Sequence, residues 1–398
     1  MNIKFFYIIV VFNLTLLSFY WNFRLPKYYL IALAYLWGSG FLEVALGPDR
    51  VSLYLKEVSG ITLMSLYFYI FLRTSRRSVL ELFDLYARAA FWISLLGIFI
   101  SVGESIIFRH FVAVRSILSE PAAFATVVMP AFYYFASIKK TRKQKLYMYT
   151  IAAALLLSVS STGMVGLLLS VALLLRRKSW GLFFAPIAVG ILFFVTYASS
   201  MHFRARVDDT VQSASTLDVG KANLSTYALV SNAYVAVRAF QERPFFGYGV
   251  GGHLVAHQKY IEDLPGVESA GELENLNAPD ANSMLLRTLS EFGLAGVCII
   301  AFFIVRFWTS GNSIYSNVST AIAVYFFMIL LRAGQWFNSE IYFFVWIYVL
   351  VKKQDVREST ARSYRPVQTR LKQAANYARS GRVSREGAER SFEIVRHV

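Results

Sequence analysis

Arginine side chains stand out in two polar stretches that separate the apolar runs of this chain. Arg115 lies in the stretch 101–120, and Arg238 and Arg243 lie in the longer stretch 200–282. The guanidinium group presents its donors in a planar fork that matches phosphate and carboxylate groups bidentately. These arginines therefore predict binding of an anionic group such as a diphosphate. The alternative is pairing with the nearby acidic residues Glu104, Glu120 and Glu242.

A further pair of charged residues lies inside an apolar run. Arg287 and Glu291 are four residues apart, a spacing that places both on one face of a helix. Charges within a membrane helix are costly, so they face a partner or a wet cavity. We expect Glu291 to pair structurally, whereas Arg287, nearer the outer end of the run, is also a candidate for substrate contact. Arg332 and Gln335, near the outer end of a later run, present the same choice.

Glycines follow the second group of arginines. Gly247, Gly249 and Gly251 come soon after Pro244, and a backbone of this composition can turn sharply and approach a ligand closely. The residues from Arg238 to the proline predict the last turns of an amphipathic helix, because proline ends a helix. The alternative is a flexible loop that follows a helix without binding anything.

Metal chemistry has little support in the sequence. His253 and His257 are four residues apart, but the preceding Gly251-Gly252 pair argues against a helix there, and no third ligand is near. We therefore predict no zinc site. The single cysteine, Cys298, excludes an intramolecular disulfide and a cysteine-based metal site.

These residues belong to an apolar chain of 398 residues, 56% hydrophobic and 16% charged. Soluble domains carry about 25% charged residues. Repeated apolar runs, near the length of about 20 residues that crosses a bilayer, indicate an all-α polytopic membrane protein. We predict 11 transmembrane helices, with an uncertainty of one either way. The predicted spans are residues 5–21, 28–46, 53–72, 88–107, 121–138, 146–159, 162–175, 180–199, 283–308, 314–333 and 339–351.

One pair of predicted spans is unusually short. Residues 146–175 must cross the bilayer and return around the serine-rich segment 158–163. Each leg is short for a full crossing, so tilt, local thinning or a broken helix pair is one interpretation. An ordinary tight turn is the other.

Basic clusters between the runs predict the side of the membrane on which each loop lies. Lysine and arginine concentrate at 73–77, 139–145, 176–178 and 352–398. Such clusters are typical of cytoplasmic loops. Counting from them places three loops on the external side, at 101–120, 200–282 and 334–338. The net charge of +16 is then explained by membrane topology, and we predict no nucleic-acid partner.

Four regions follow from this topology. Residues 1–199 form an N-terminal transmembrane bundle, and residues 200–282 form one large extracytoplasmic loop with short helices. Residues 283–351 form the C-terminal transmembrane helices. Residues 352–398 form a basic tail, which we predict to be disordered, with patches of helix as the alternative, and attracted to anionic lipid head groups.

Taken together, these features resemble the O-antigen polymerase and ligase superfamily of bacterial inner-membrane glycan assembly proteins. Residues 115–121 resemble the family's external loop, in which an arginine precedes Glu-Pro at the start of a span. Residues 238–251 resemble its Arg…Pro-Leu-Phe-Gly-x-Gly-x-Gly region, and Arg238 and Gly249 match the Arg-x10-Gly spacing of polymerases. Residues 281–296 resemble its His-Asn-x-x-Leu…Glu-x-Gly-x-x-Gly region.

Two departures from the family pattern bear on function. The histidine that is typical of the ligase branch is replaced by Ala281, with Asp280 beside it. The Ser-Arg pair that is common after the central span appears as residues 160–162, Ser-Ser-Thr, without the arginine. The first departure favours a polymerase of surface polysaccharide over a ligase and leaves the general base unassigned.

The resemblance implies a GT-C-like glycosyltransferase in the bacterial inner membrane, multi-pass, with its active site facing the periplasm or exterior. The implied enzyme uses neither metal nor cofactor and moves a growing glycan from undecaprenyl diphosphate to the next lipid-linked repeat. Its implied partners are the undecaprenyl-diphosphate-linked oligosaccharide, membrane lipids, a chain-length regulator and a flippase.

The resemblance also implies roles for individual residues. Arg238 would stabilise the leaving diphosphate, and either Glu120 or Asp280 would take the acceptor proton. The implied diphosphate-binding residues are Arg115, Arg238, Arg243 and Arg287. The residues implied to shape the backbone around the substrate are Gly247, Gly249, Gly251 and Asn282.

Three other functions remain open at this point. A ligase or a protein O-oligosaccharyltransferase would use the same donor with a different acceptor. A transporter of lipid-linked sugars would place its cationic residues along a central path through the spans, and the long polar loop 200–282 argues against it. A membrane scaffold would act through the basic tail.

Overall fold

The computed structural model of the chain describes residues 5–18, 25–44, 51–118, 120–138, 141–176, 201–220 and 222–379, with a few further positions between 187 and 198. The described residues form helices and no strands. The α-helices discussed below are α1 Phe5–Ser18, α2 Lys27–Val44, α3 Val51–Thr74, α4 Val79–Phe108, α5 Pro121–Ser137, α6 Arg142–Leu157, α7 Ser161–Arg176, α8 Met201–Thr216, α9 Leu224–Glu242, α10 Gly252–Tyr260, α11 Met284–Phe307, α12 Ile314–Leu331 and α13 Ser339–Arg379. Two 3₁₀ helices, Ile261–Asp263 and Val267–Leu273, follow α10.

Four of these helices, α3, α4, α11 and α12, are long and apolar enough to cross a membrane. Two more, α5 and α7, are apolar but shorter, with 17 and 16 residues. The chain is therefore a helical membrane protein, as its composition predicts. The total of 11 spans stays a prediction, and the predicted span 180–199 falls largely outside the described residues.

Local sequence signals account for where several helices begin. Ser78 and Glu81 form a reciprocal capping box at the start of α4, and Thr141 and Gln144 form another at the start of α6. Each box satisfies two backbone donors that the first helical turn leaves without partners. Pro121 begins α5, at a position where its missing N–H costs nothing.

The core of the bundle is built around α5 and α12, which pack on each other and on α7 and α4. Small residues permit this close approach. An added Cβ on Gly166 of α7 would lie 2.7 Å from the Met328 sulfur of α12 and 2.8 Å from the Met129 methyl of α5. Close backbone approach through small residues is the usual basis of helix packing within membranes.

After α4 the chain folds back along that helix. Val112 and Ser116 are fixed to α4, because Ser101 donates to the Val112 carbonyl and the Ser116 hydroxyl donates to the Ile93 carbonyl at 2.9 Å. The Val114 N–H donates to the Leu157 carbonyl at 3.2 Å. Leu157 is the last residue of α6. The short pair at 146–175 is joined by a tight turn in which Ser158 and Ser160 are buried.

The polar island 200–282 folds around its own small core. Tyr227 and Val235 of α9 pack with Ala256 and Tyr260 of α10. The predicted end of α9 near Pro244 is confirmed, since the helix runs to Glu242.

One secondary-structure prediction was wrong. A helix begins at Gly252, where the glycine pair argues against one. Gly251 has a left-handed φ of 76° and forms the helix cap, while Gly252 lies where a Cβ would come 2.5 Å from the Tyr248 Cβ. These glycines therefore fit a helix start rather than a flexible loop. In the tail, α13 continues to Arg379, in line with the helical alternative, and residues 380–398 lie outside the described residues.

Helix α11 is interrupted at Gly293, and the glycine loop 244–251 fills the interruption. Gly293 has φ 58° and ψ −150°, a conformation that glycine alone adopts readily. On one side of the break, the N–H groups of Tyr248 and Gly249 donate to the Ser290 and Glu291 carbonyls at 2.9 and 2.8 Å. On the other side, the N–H groups of Leu294 and Ala295 donate to the Pro244 and Phe245 carbonyls at 2.8 and 3.1 Å.

This arrangement has a clear physical reason. Backbone groups that are released from a helix within a membrane find no water partner, so irregular backbone is tolerated there only when protein groups satisfy it. The loop supplies two donors and two acceptors, which match the four freed groups. The polar island is thereby attached to a membrane helix through the backbone.

We predict that Gly293→Ala destabilises the protein by about 3 kcal/mol or more, because a Cβ would lie 2.6 Å from the Pro244 carbonyl oxygen and the φ is positive. The melting temperature of the detergent-purified protein measures this loss. Gly103→Ala is the matched control. Gly103 lies in α4 with nothing within 4 Å of an added Cβ, so alanine should leave stability unchanged or raise it by up to about 1 kcal/mol. Equal melting temperatures for both variants would contradict the importance of the break.

Candidate functional site

The structure sorts the predicted site residues into two regions. Arg238 and Arg243, together with the predicted loop residues and the start of α11, form one region around the break in α11. Arg115 and Glu120 lie between α4 and α5. Within the described residues, no hydrogen bond or ion pair of either side chain joins them to the break region.

Arg115 and Glu120 both lie at exposed positions. The Arg115 side chain reaches Glu104 Oε1 at 3.5 Å and is 48% exposed. The Glu120 backbone precedes α5, and its side chain makes no capping bond to the helix. The predicted alternative, pairing with a local acidic residue, is therefore observed for Arg115 as a long and solvent-accessible contact. Such a pair contributes at most about 1 kcal/mol.

Arg287 lies at the centre of a buried ion cluster. Its Nε donates to Glu291 Oε1 at 2.8 Å, and its Nη2 lies 3.1 Å from Oε1 of Glu57 in α3. Its Nη1 donates to the Gly334 carbonyl at 2.9 Å. The side chains of all three charged residues are at least 96% buried. The structural pairing expected for Glu291 is present.

This burial changes the assignment of Arg287. The sequence makes it a candidate for diphosphate contact, but its Nε and Nη1 donate to protein acceptors and its side chain is 1% exposed. We therefore leave Arg287 out of the binding site proposed below.

Glu57 is not among the site residues predicted from the sequence. Its carboxylate lies inside the predicted span 53–72, which suggests a buried partner, but spacing alone does not identify that partner.

The ion cluster also holds the glycine loop. Glu291 Oε1 accepts from the Gly251 N–H at 3.0 Å, and Oε2 accepts from the Trp336 indole at 2.8 Å. Close packing requires glycine at one further position, since an added Cβ on Gly247 would lie 2.5 Å from the Glu291 carbonyl carbon. The glycines in this loop therefore permit close contact with α11. This contact explains Gly247 and Gly251 without the predicted approach of their backbone to a ligand.

A buried histidine network joins α9, α10 and α11. Asn232 donates from Nδ2 to the Ala228 and Leu276 carbonyls at 2.7 and 3.2 Å, so its Oδ1 must be the acceptor for His253 Nε2 at 3.0 Å. His253 Nδ1 lies 2.8 Å from the Ser290 hydroxyl, which also contacts the Leu286 and Arg287 carbonyls. The contact with Asn232 places a ring proton on Nε2.

The electrostatics agree with a neutral ring. Burial, reinforced by the charge of Arg287, lowers the pKa of His253 well below its ordinary value of 6.5. His257 lies one turn further along α10 and is also buried, with neither ring nitrogen hydrogen-bonded to a described residue. Burial lowers its pKa to about 4. Both histidines therefore belong to the core of the island. Among the described residues, no three His, Cys, Asp or Glu side chains are grouped so as to hold a metal ion.

Arg238 and Arg243 lie on the surface beside this core, each over a tyrosine ring. The Arg238 guanidinium lies 5.6 Å from the Tyr260 ring centroid, and that of Arg243 lies 4.5 Å from the Tyr248 centroid. The only ion pair of Arg238 with a described residue is a 3.8 Å contact to Asp263, in which both side chains are about half exposed. A guanidinium over an aromatic ring is held by the ring's negative face, and the exposed Arg238 keeps edge donors with which it can bind an anion.

The two tyrosines are themselves held in place. Their hydroxyl groups are 3.0 Å apart, and Tyr260 donates to Glu242, which also accepts from Lys259 Nζ at 2.5 Å. Chiefly because of the Lys259 hydrogen bond, the pKa of Glu242 is lowered. We call Arg238, Arg243, Tyr248 and Tyr260 the arginine–tyrosine surface.

Asp280 and Asn282 lie just before α11, close to the segment between α12 and α13. Asp280 Oδ1 accepts from the Asn282 N–H at 3.0 Å, and Oδ2 accepts from Gln335 Nε2 at 3.2 Å. Arg332 donates to the Ser225 hydroxyl at 3.1 Å, at the start of α9. The Asp280 carboxylate is partly exposed and forms no ion pair with a described residue, so it can accept a further hydrogen bond.

No protein-family model and no curated protein matches this chain in the comparisons made with them.

We predict that Arg287→Met destabilises the protein by about 3–5 kcal/mol, because it leaves two buried carboxylates without a counter-charge. Glu57→Gln should cost less, since the remaining Arg287–Glu291 pair is neutral in total. Thermal or denaturant unfolding in detergent measures both. Arg88→Met is the matched control, because Arg88 is 59% exposed in its pair with Asp84 and should contribute about 0–1 kcal/mol. A loss for Arg287→Met no larger than for Arg88→Met would contradict the buried cluster.

We predict that acid weakens the protein through His257. Its folded-state pKa of about 4 lies below the ordinary 6.5, so the unfolded chain binds more protons between these values. Stability is then full above pH 6.5 and falls as the pH drops towards 4. His257→Leu should melt no lower than wild type at pH 7 and should lose less stability at pH 4.5.

The control for this measurement is His110→Leu, at an exposed position between α4 and α5. It should keep the wild-type dependence of melting temperature on pH. Part of the acid effect should persist in His257→Leu, because the pKa of His253 is lowered in the same direction. An unchanged pH dependence in His257→Leu would show that His257 does not contribute to it.

Proposed function

We propose that this chain is a glycosyltransferase that polymerises a bacterial surface polysaccharide, such as an O-antigen, capsule or exopolysaccharide. It transfers the growing glycan from undecaprenyl diphosphate to the next lipid-linked repeat unit. The proposed setting is the bacterial inner membrane, with 11 spans in a GT-C-like arrangement and the reaction at the external face.

One observation carries the proposal. Residues 238–251 and 281–296 resemble two separate regions of the polymerase and ligase superfamily. In the fold they adjoin, through the four backbone hydrogen bonds at the break in α11 and the bond from Gly251 to Glu291. Motifs that are remote in sequence and adjacent in space are what a shared substrate site requires.

The arginine–tyrosine surface supplies the proposed diphosphate site. Arg238 is 45% exposed, and its weak contact with Asp263 can be exchanged for a doubly charged group. Phe245 and Phe246, which come after Arg243 and Pro244 in the chain, are 64% and 70% exposed. Cationic groups beside exposed aromatic rings at a membrane helix suit a ligand with an anionic head and a polyprenyl tail.

The proposed chemistry follows from these groups. The acceptor hydroxyl oxygen forms a bond to the anomeric carbon, while the bond from that carbon to the diphosphate oxygen breaks. The electron pair leaves with undecaprenyl diphosphate, whose growing charge Arg238 and Arg243 stabilise. The hydroxyl proton passes to a carboxylate. Of the two candidates, we favour Asp280 over Glu120, because Asp280 belongs to the region around the break.

We predict that deleting the gene leaves single lipid-linked or surface-attached repeats, and that wild type restores the polymer. Arg238→Ala should reduce polymer yield by at least about tenfold, the effect of losing a charged hydrogen bond of about 1.5–3 kcal/mol. Arg238→Lys should restore it only in part, because an ammonium lacks the bidentate fork. Gel analysis of the surface glycan, with mass spectrometry of the undecaprenyl-linked material, measures both.

Arg88→Ala provides the matched control, since it removes the same charge from an exposed pair on α4 and should keep wild-type polymer. Each other outcome has a definite meaning. Full-length polymer stranded on the carrier lipid would replace the polymerase with a ligase. Wild-type glycan in the deletion strain would refute a role in polymerisation, provided that the genome encodes no second polymerase. Full activity of Arg238→Ala would remove the arginine from the mechanism.

A further inference from the structure

The carboxylate of Asp280 is held by an amide from another part of the chain. Gln335 Nε2 donates to Asp280 Oδ2 at 3.2 Å, although the two residues are 55 positions apart. Gln335 belongs to the irregular segment 332–338 between α12 and α13. A neutral donor fixes the direction of a carboxylate without cancelling its charge, so Asp280 stays able to accept a proton or a hydroxyl hydrogen.

The segment 332–338 is fixed against the start of α11. The Ala333 N–H donates to the Asn282 carbonyl at 3.2 Å, and the Gly334 carbonyl accepts from buried Arg287. An added Cβ on Gly334 would lie only 1.4 Å from the Asp280 carbonyl oxygen. Gln335 is therefore held in a defined position beside Asp280 by contacts that do not involve its own side chain.

Asn282, two positions after Asp280, has a side-chain amide that donates to no described residue. Its side chain is nearly buried, at 6% exposure, and its amide nitrogen has no hydrogen-bond partner among the described residues. Its backbone N–H binds Asp280 Oδ1, which keeps the two residues in contact. A buried amide without a hydrogen-bond partner destabilises a fold, and a bound ligand that accepts a hydrogen bond from it would offset this cost.

We propose that Asp280, Asn282 and Gln335 form the subsite that receives the hydroxyl groups of the acceptor sugar. This inference rests on the proposed function and adds Gln335 as a positioning residue. Neighbouring sugar hydroxyls each donate one hydrogen bond and accept others. A carboxylate next to an amide donor therefore matches a pair of adjacent hydroxyls. Asp280 accepts from the reacting hydroxyl, and the Asn282 amide donates to the oxygen of its neighbour.

The proposed acceptor subsite differs chemically from the proposed diphosphate site. The arginine–tyrosine surface is cationic and would recognise the donor head group. The acceptor subsite offers one anionic and two neutral amide side chains, which suit an uncharged sugar. The two sites also belong to different segments, since Gln335 comes from the connection after α12 and Arg238 from α9.

The test uses the purified full-length protein with lipid-linked repeats extracted from the deletion strain. Polymerisation rates are followed as the concentration of acceptor repeat is varied. Binding of sugar-free undecaprenyl diphosphate is measured separately as a probe of the donor site. Gln335→Met keeps the length of the side chain and removes its amide, and Asn282→Asp keeps its shape and its tolerance of the observed φ of 56°. Gln212→Met, at an exposed position of α8, is the matched control.

We predict that Gln335→Met and Asn282→Asp raise the KM for acceptor by about tenfold, the equivalent of one hydrogen bond to a charged or buried group. Their Kd for undecaprenyl diphosphate should stay within about twofold of wild type, as should both constants for Gln212→Met. Gln335→Asn, whose amide is retained on a shorter chain, should recover part of the loss. A merely structural role would lower kcat and donor binding together and would not raise KM selectively.

Failure of this inference is distinguishable from failure of the proposed function. If wild type makes no polymer from the repeats, the function itself is wrong. If wild type polymerises and Gln335→Met keeps the wild-type KM, the acceptor subsite is refuted while the function stands. If both variants instead weaken undecaprenyl diphosphate binding, these residues hold the donor and the assignment to the acceptor is overturned. If Asn282→Asp fails to fold, Gln335→Met alone decides.

Discussion

This structure depends on one requirement: a broken membrane helix must recover its backbone hydrogen bonds. Helix α11 gives up its regular pattern at Gly293, and the loop 244–249 returns two donors and two acceptors to it. Within the apolar part of a membrane, no water is present to form these hydrogen bonds instead. The island, the glycine loop and the arginine–tyrosine surface therefore take their positions from backbone chemistry in one helix. Side-chain contacts then refine those positions.

A buried cluster of charged side chains is the second feature that positions these elements. The cluster around Arg287 connects α3, α11, the glycine loop and the segment 332–338 through one buried guanidinium and two carboxylates. Two carboxylates share one cation, so the cluster carries a formal excess of one negative charge. Buried ion clusters of this kind contribute little net stability but make the loss of a single member costly. They specify which elements meet, and here they join the N-terminal bundle to the region proposed to bind substrate.

Much of the helical framework could be predicted from the sequence, because apolar runs and capping residues are local signals. The end of α9 before Pro244 and the pairing of Arg287 with Glu291 follow from spacing within one helix. The helix at His253 and the role of Glu57 could not be predicted in this way. The helix start depends on how Gly251 and Gly252 fold against Tyr248, and Glu57 depends on Arg287 in another helix. Among the candidate site residues, exposure separates Arg238 from Arg287, and exposure is a property of the assembled fold.

The order of the break and its loop along the chain has a consequence for biosynthesis. The segment 244–249 leaves the ribosome before residues 284–307, so the complementary backbone exists before the interrupted helix enters the bilayer. Insertion of α11 would otherwise strand polar peptide groups in lipid, at several kcal/mol each. The loop is thus synthesised before the helix whose backbone groups it completes. We expect a defect in the loop to lower the amount of correctly inserted protein.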